Sequence, residues 1–159
     1  MTYKSILIDQ ITACYNDKSW FIPLADILAD LTVSEAVTEN ENKQSICSIV
    51  NHIIYWNERW LERFKAGEFV SNNTINNDET FSLTPDQFED LGWNETLIRL
   101  EKVFSNWRTV LEETDESKLT RQIPEYYNAQ WWGVVSNLCI HNAYHIGQIM
   151  LLKKLIRVK

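Results

Sequence analysis

Apolar residues recur along this chain with a helical period in four long stretches, separated by polar, aperiodic connections. The first stretch runs from about Tyr3 to Asn16, with Tyr3, Ile6, Leu7, Gln10 and Cys14 on one face. After a break at Asp17-Lys18-Ser19, Pro23 stands where a first helical turn tolerates it, ahead of Leu24, Ile27, Leu28 and Leu31. This second piece reads as a short continuation of the first helix after a kink. The second long stretch runs from about Ser45 to Ala66, with a stripe of Ile46, Ile49, Val50, Ile53, Trp56, Trp60 and Phe64. Ser45 suits an N-cap and Gly67 a stop. The third, about Trp93 to Glu113, presents Trp93, Leu97, Leu100, Phe104, Trp107 and Leu111. The fourth runs from about Gln130 to Ile156.

Between the second and third stretches, Glu68 to Gly92 carries no sustained period and includes Asn72, Asn73, Asn76 and Asn77. A connection that long inside a compact domain is usually functional or a crossover. A crossover lets the second and third helices lie side by side. The segment Thr114 to Ala129 holds Pro124, Tyr126 and Tyr127; part of it, Leu119 to Tyr127, reads as locally extended but too short to define a sheet. No internal repeat or low-complexity tract is present. Four amphipathic helices of this length predict an all-α chain, a four-helix bundle with its stripes facing inward, in a single domain over residues 1–159.

Composition narrows the function classes. With 45% hydrophobic residues and seven Trp, the chain can build a core without disulfides. Four Gly and three Pro fit a helical chain with few turns. The net charge of −7 disfavours contact with a phosphate backbone. The one basic concentration, Lys153, Lys154, Arg157 and Lys159, lies at a helix C-terminus, where cations complement the dipole. The expectation is therefore no nucleic acid and, with no apolar run of about 18 residues, no membrane. Three cysteines, Cys14, Cys47 and Cys139, form no Cys-x-x-Cys and are odd in number, which points to a reducing, cytoplasmic compartment. The N-terminus lacks a signal-peptide shape. The sequons Asn72-Asn73-Thr74 and Asn94-Glu95-Thr96 then carry little meaning.

The fourth stretch holds the candidate chemistry. Its apolar stripe is Val134, Leu138, Ile149, Leu152 and Ile156, and His141 and His145 fall in the middle of it. Imidazoles four residues apart share one helical face and can grip one metal ion. Left without partners inside a core, each imidazole costs about 1–3 kcal/mol. The third and last histidine, His52, lies between Ile49 and Trp56 on the flank of the second stripe. Three imidazoles suit zinc, nickel, copper or iron rather than magnesium or calcium. Three protein ligands leave a coordination position open, as in reactive sites. The plain alternative is three hydrogen-bonded core histidines. Asn142 follows His141, so the His-Glu-x-x-His protease motif and its general base are missing. Cys47 and Cys139 point away from the histidines on the helical wheel.

The run Ser45-Ile46-Cys47-Ser48-Ile49-Val50-Asn51-His52-Ile53-Ile54-Tyr55-Trp56 resembles one half of the DinB-like signature. The run His141-Asn142-Ala143-Tyr144-His145-Ile146-Gly147-Gln148-Ile149 resembles the other, and the more specific, half. The break near Trp20, and Trp93 at the start of the third helix, fit the same pattern. The resemblance implies an up-down-down-up bundle with a long crossover between helices 2 and 3, a metal ion on His52, His141 and His145 at the bundle's open end, and a homodimer. Characterised members of that family include metal-dependent transferases acting on low-molecular-weight thiols such as bacillithiol and mycothiol, and a thiol-dependent isomerase. Zinc or nickel is the first expectation for the ion, with iron or manganese as further candidates.

Around this centre, Gln148 and Tyr144 are candidates to support a ligand by hydrogen bonding. Gly147 is a place where another helix could approach. Glu101 and Arg108, seven residues apart, read as an ordinary ion pair. Trp56, Trp131, Trp132, Tyr126 and Tyr127 are either core or pocket wall. Three functions compete: a metal-dependent thiol S-transferase or hydrolase acting on a small-molecule substrate; a non-catalytic metal- or ligand-binding bundle; and an interaction module whose histidines fill a core.

Overall fold

The expected helices form around buried faces, and the first two long ones also start on side-chain caps. The computed structural model describes residues 2–69 and 76–158. The sequon Asn72-Asn73-Thr74 and the basic Lys159 lie outside them. Helix α1 (Tyr3–Tyr15) starts on a capping box: Thr2 accepts from the Ser5 amide and the Ser5 hydroxyl accepts from the Thr2 amide. It buries Leu7, Ile11 and Cys14. The face is rotated from the expected one, because Tyr3 and Ile6 remain exposed and Tyr3 stacks on Trp132.

The segment after Pro23 is a separate short helix, α2 (Leu24–Leu28), rather than a continuation of α1, and Pro23 is its N-cap. It is followed by α3 (Val33–Val37), capped by a Thr32–Glu35 box. A strict period does not reveal α3, since only Ala36 is buried from its five residues. Both pieces are tied to the C-terminal helix. Lys153 pairs with Asp30, and Arg157 pairs with Asp30 and Glu35. Part of the basic cluster is thus an internal clamp.

Helix α4 (Ile46–Ala66) has the predicted ends: a Ser45–Ser48 capping box and Gly67 in the left-handed region at φ 73°. Its predicted stripe is buried at Ile46, Ile49, Val50, Ile53 and Phe64, with Trp56 and Trp60 half-buried. The described part of the long connection that follows holds two 3₁₀ turns, Asn77–Phe81 and Pro85–Phe88. Helix α5 (Asp90–Glu113) begins before Trp93. Gly92 permits the Pro85–Phe88 turn to rest on it, because a Cβ there would collide with the Asp86 backbone carbonyl. Gln87, brought in by that turn, bonds both Asn51 and Thr96.

After α6 (Glu116–Thr120) comes a two-residue antiparallel pair, β1 (Gln122–Ile123) with β2 (Ala129–Gln130). The extended segment therefore does pair, as a minimal hairpin. Tyr127 and Asn128 at its tip both have φ 52°, the left-handed geometry of a tight hairpin turn. Helix α7 (Trp131–Val158) starts just after β2, which takes Gln130.

Among the described residues the chain is all-α apart from that hairpin. The long helices meet around one core, α1 against α5 and α7, and α4 against α5 and α7. Contacts rise together along α4 and α5: Glu58 pairs with Arg99, and Phe64 packs on Trp107. They run oppositely along α4 and α7, where His52 meets His145 and Phe64 meets Trp131. Arg108 pairs with Glu112 one turn on, not with Glu101, because the i,i+4 partner lies closer than the seven-residue one. No described helix is long and apolar enough to cross a membrane.

Candidate metal centre

Helices α4 and α7 run past each other so that their histidines meet. His52 Nε2 is 3.0 Å from His141 Nε2, which is 3.1 Å from His145 Nε2. His52 and His145 are buried and His141 is half-buried. The three candidate ligand atoms lie within 4.8 Å of one another, so the group could hold one metal ion. Two nitrogens each about 2.1 Å from one ion, at about 90–110° to each other, stand about 3.0–3.4 Å apart. The two separations fall in that range.

The outer ring nitrogens define the protonation pattern. Thr80 Oγ1 donates its only hydrogen to the Asn77 carbonyl (2.6 Å). It must therefore accept from His52 Nδ1, 2.6 Å away. Gln148 Oε1 accepts from His145 Nδ1 at 2.7 Å, and Gln148 Nε2 donates to the Tyr144 hydroxyl. His52 and His145 thus carry their hydrogens on Nδ1 and turn bare Nε2 lone pairs inward. His141 Nε2 can give a hydrogen to only one of them. At least one of the two close nitrogen pairs has no hydrogen between its members, and a bound cation removes that conflict. His141 Nδ1 is buried and has no hydrogen-bond partner among the described residues.

Burial pushes the His52 imidazole down to about 3, with smaller contributions from His145 and His141. Burial and then His145 push His141 down to about 4. Burial also lowers His145, against the opposing hydrogen bond to Gln148. All three are held neutral, the state in which imidazole ligates a metal.

Two further contacts flank the centre. Phe81 stacks on the His52 ring at 3.9 Å between centroids. Behind the histidines, Asn57 and Asn142 are fully buried and clasp each other: Asn57 Nδ2 donates to Asn142 Oδ1 at 2.7 Å, and Asn142 Nδ2 donates to Asn57 Oδ1 at 3.1 Å. Asn57 also donates to the Ile53 carbonyl. A cleft of about 300 Å³ opens beside His141, lined by Trp56, Trp60, Tyr126, Asn137 and Leu138 among others.

The sequence candidates are thereby sorted. His52, His141 and His145 converge, and Gln148 and Tyr144 form the hydrogen-bond chain behind His145. Trp56 and Tyr126 wall the cleft. Trp131 is fully buried core, Trp132 stacks on Tyr3, and Tyr127 is exposed. Cys14, Cys47 and Cys139 are free, buried and outside the cluster. Sequence reasoning missed Thr80, Phe81, Asn57 and the pairing role of Asn142. The length of the connection carrying Thr80 was the available signal for the first two. Asn57, polar and one residue past Trp56 in an apolar helix, was the signal for the clasp.

A helical protein in which two helices bring together three neutral, inward-facing imidazoles has a site of metal-binding type. The chain matches the DinB superfamily over residues 24–149 and belongs to that family. No curated protein and no solved structure matches it.

Proposed function

We propose that this chain binds one divalent transition metal ion through His52, His141 and His145 and uses it to activate a small thiol or water for transfer to a small electrophile. The observation that carries the reading is the meeting of three Nε2 atoms with too few hydrogens to separate them. When bound, the ion supplies Lewis acidity, which lowers the pKa of a coordinated thiol or water. The chain's own part is orientation. Thr80 and Gln148 fix two imidazole tautomers, as hydrogen-bonded supports behind metal ligands do. Trp56, Trp60 and Tyr126 offer apolar walls to a substrate, beside Asn137. Zinc or nickel fits the all-imidazole donor set best, with iron or manganese as alternatives.

The reading extends to the frame. The four long helices form an up-down-down-up bundle in one domain over 1–159, supported by the contacts that rise together along α4 and α5. A homodimer is supported by an exposed apolar line on α7, with Ile140, Tyr144, Leu151 and Leu155 around Gly147, whose Cβ position faces open space. Three free thiols support a cytoplasmic setting. A screen of small thiols against small electrophiles tests the function: turnover is expected, and chelator or His145→Ala abolishes it. Turnover retained by metal-free protein contradicts it. A second reading, a metal clamp without catalysis, is favoured by the split of the ligands between α4 and α7. It predicts a large fall in Tm on chelation and no turnover in the same screen.

A further inference from the structure

The face of α4 that carries His52 continues through Trp56 and Trp60 to Arg63, eleven residues further on, or about 16 Å of helix axis. The Arg63 guanidinium lies over the Trp60 ring at 4.6 Å and over the Phe69 ring at 4.4 Å. Tyr126 closes the group, its ring 5.0 Å from Trp60 and 4.9 Å from Phe69. Trp60 and Tyr126 also wall the cleft beside His141. The cleft and the stacked guanidinium therefore share two side chains.

Arg63 differs from three of the other arginines. Arg99, Arg108 and Arg157 are each paired with a carboxylate. Among the described residues Arg63 has no ion pair, and its buried Nε has no hydrogen-bond partner. Residues 70–75, which follow Phe69, contain no acid that could pair with it. In a chain of net charge −7, a cation left unpaired among aromatic rings needs a reason. A stacked guanidinium still presents its planar N–H fork edgewise, which matches a carboxylate or phosphate.

We propose that the cleft takes a small organic anion, its acid group held by Arg63, its apolar middle against Trp56, Trp60 and Tyr126, and its reacting end at His141. The reacting end rests on the proposed histidine centre; the anion anchor does not. The substrate class is thereby narrowed to acids with an apolar spacer, and Arg63 sets that preference without touching the reacting atoms.

The test uses tag-free, metal-loaded protein and the tryptophan fluorescence of the cleft walls. The probes are 4-phenylbutyrate and its uncharged amide, 4-phenylbutyramide. The carboxylate is expected to bind about tenfold more tightly than the amide, the scale of a charge-assisted hydrogen bond. Arg63→Gln is expected to bring the two within about twofold, with metal content unchanged. Arg63→Lys keeps the charge but not the fork, and is expected to lose about three- to fivefold of the preference. No binding of the acid, equal binding of the two probes, or a preference unchanged in both variants overturns the proposal; the last would place the carboxylate on the metal. If the preference and its dependence on Arg63 hold in protein that takes up no metal, the histidine reading fails and the anion anchor stands.

Discussion

Replacing Asn57 by alanine removes one half of a fully buried amide pair directly behind the histidines. Asn142 then keeps neither partner: its Oδ1 loses the Asn57 Nδ2 donor and its Nδ2 loses the Asn57 Oδ1 acceptor. At about 1–3 kcal/mol for each of the two buried groups left unsatisfied, the loss is about 2–6 kcal/mol. Asn142→Ala is milder, about 1–3 kcal/mol, because Asn57 Nδ2 retains the Ile53 carbonyl and only Oδ1 is orphaned. The double variant has no orphan, so its cost falls short of the sum of the singles by about 1–3 kcal/mol. Urea unfolding of the four proteins gives the cycle. Additivity within about 0.5 kcal/mol, or Asn142→Ala costing more than Asn57→Ala, would refute the clasp.

Other outcomes follow from the same geometry. Thr80→Val removes the acceptor for His52 Nδ1–H and is expected to weaken metal affinity by about 10–100-fold; calorimetric titration with zinc or nickel measures it, and an unchanged affinity contradicts the role. Hydrogen bonds from Lys153 and then Arg157 hold the Asp30 carboxyl down at about 2, and Arg157 does the same for Glu35. Depressed folded-state values stabilise the fold above the unfolded carboxylate range near pH 4, and that contribution is lost as pH falls from about 5 towards 2. Asp30→Asn is expected to flatten this acid limb of Tm against pH, and an unaltered limb contradicts it. Burial pushes the Cys14 and Cys47 thiols up to about 12 and raises Cys139 as well. A thiol reagent at pH 8 is thus expected to modify none of the three cysteines in native protein and all three after unfolding; rapid native labelling contradicts the burial.

Much of the frame was legible because the signals were local. Ser45 and Gly67 mark the ends of α4 by capping chemistry alone, and the stripes of α4, α5 and α7 follow from spacing. His52, His141 and His145 lie on or beside the stripes read from spacing, and they form a group that could hold a metal ion. What stayed hidden depends on long-range contacts. Thr80 sits 28 residues from His52 in a connection without period, so nothing local announces it. Tyr3 and Ile6 stay exposed because α1 turns Leu7, Ile11 and Cys14 to the core instead, and Arg108 meets Glu112 because that residue lies one turn on along the same helix. The short helix α3 is held by its Thr32–Glu35 cap and by Arg157 rather than by an apolar face.

The most direct test of the histidine centre is elemental analysis joined to metal-edge X-ray absorption, on protein expressed without a histidine tag. One transition-metal ion per chain, with scattering from three imidazoles, is the predicted result, and each of His52→Ala, His141→Ala and His145→Ala lowers the imidazole count. Protein that stays free of stoichiometric metal after incubation with zinc, nickel, iron and manganese, or an ion bound by fewer than two imidazoles, would contradict it.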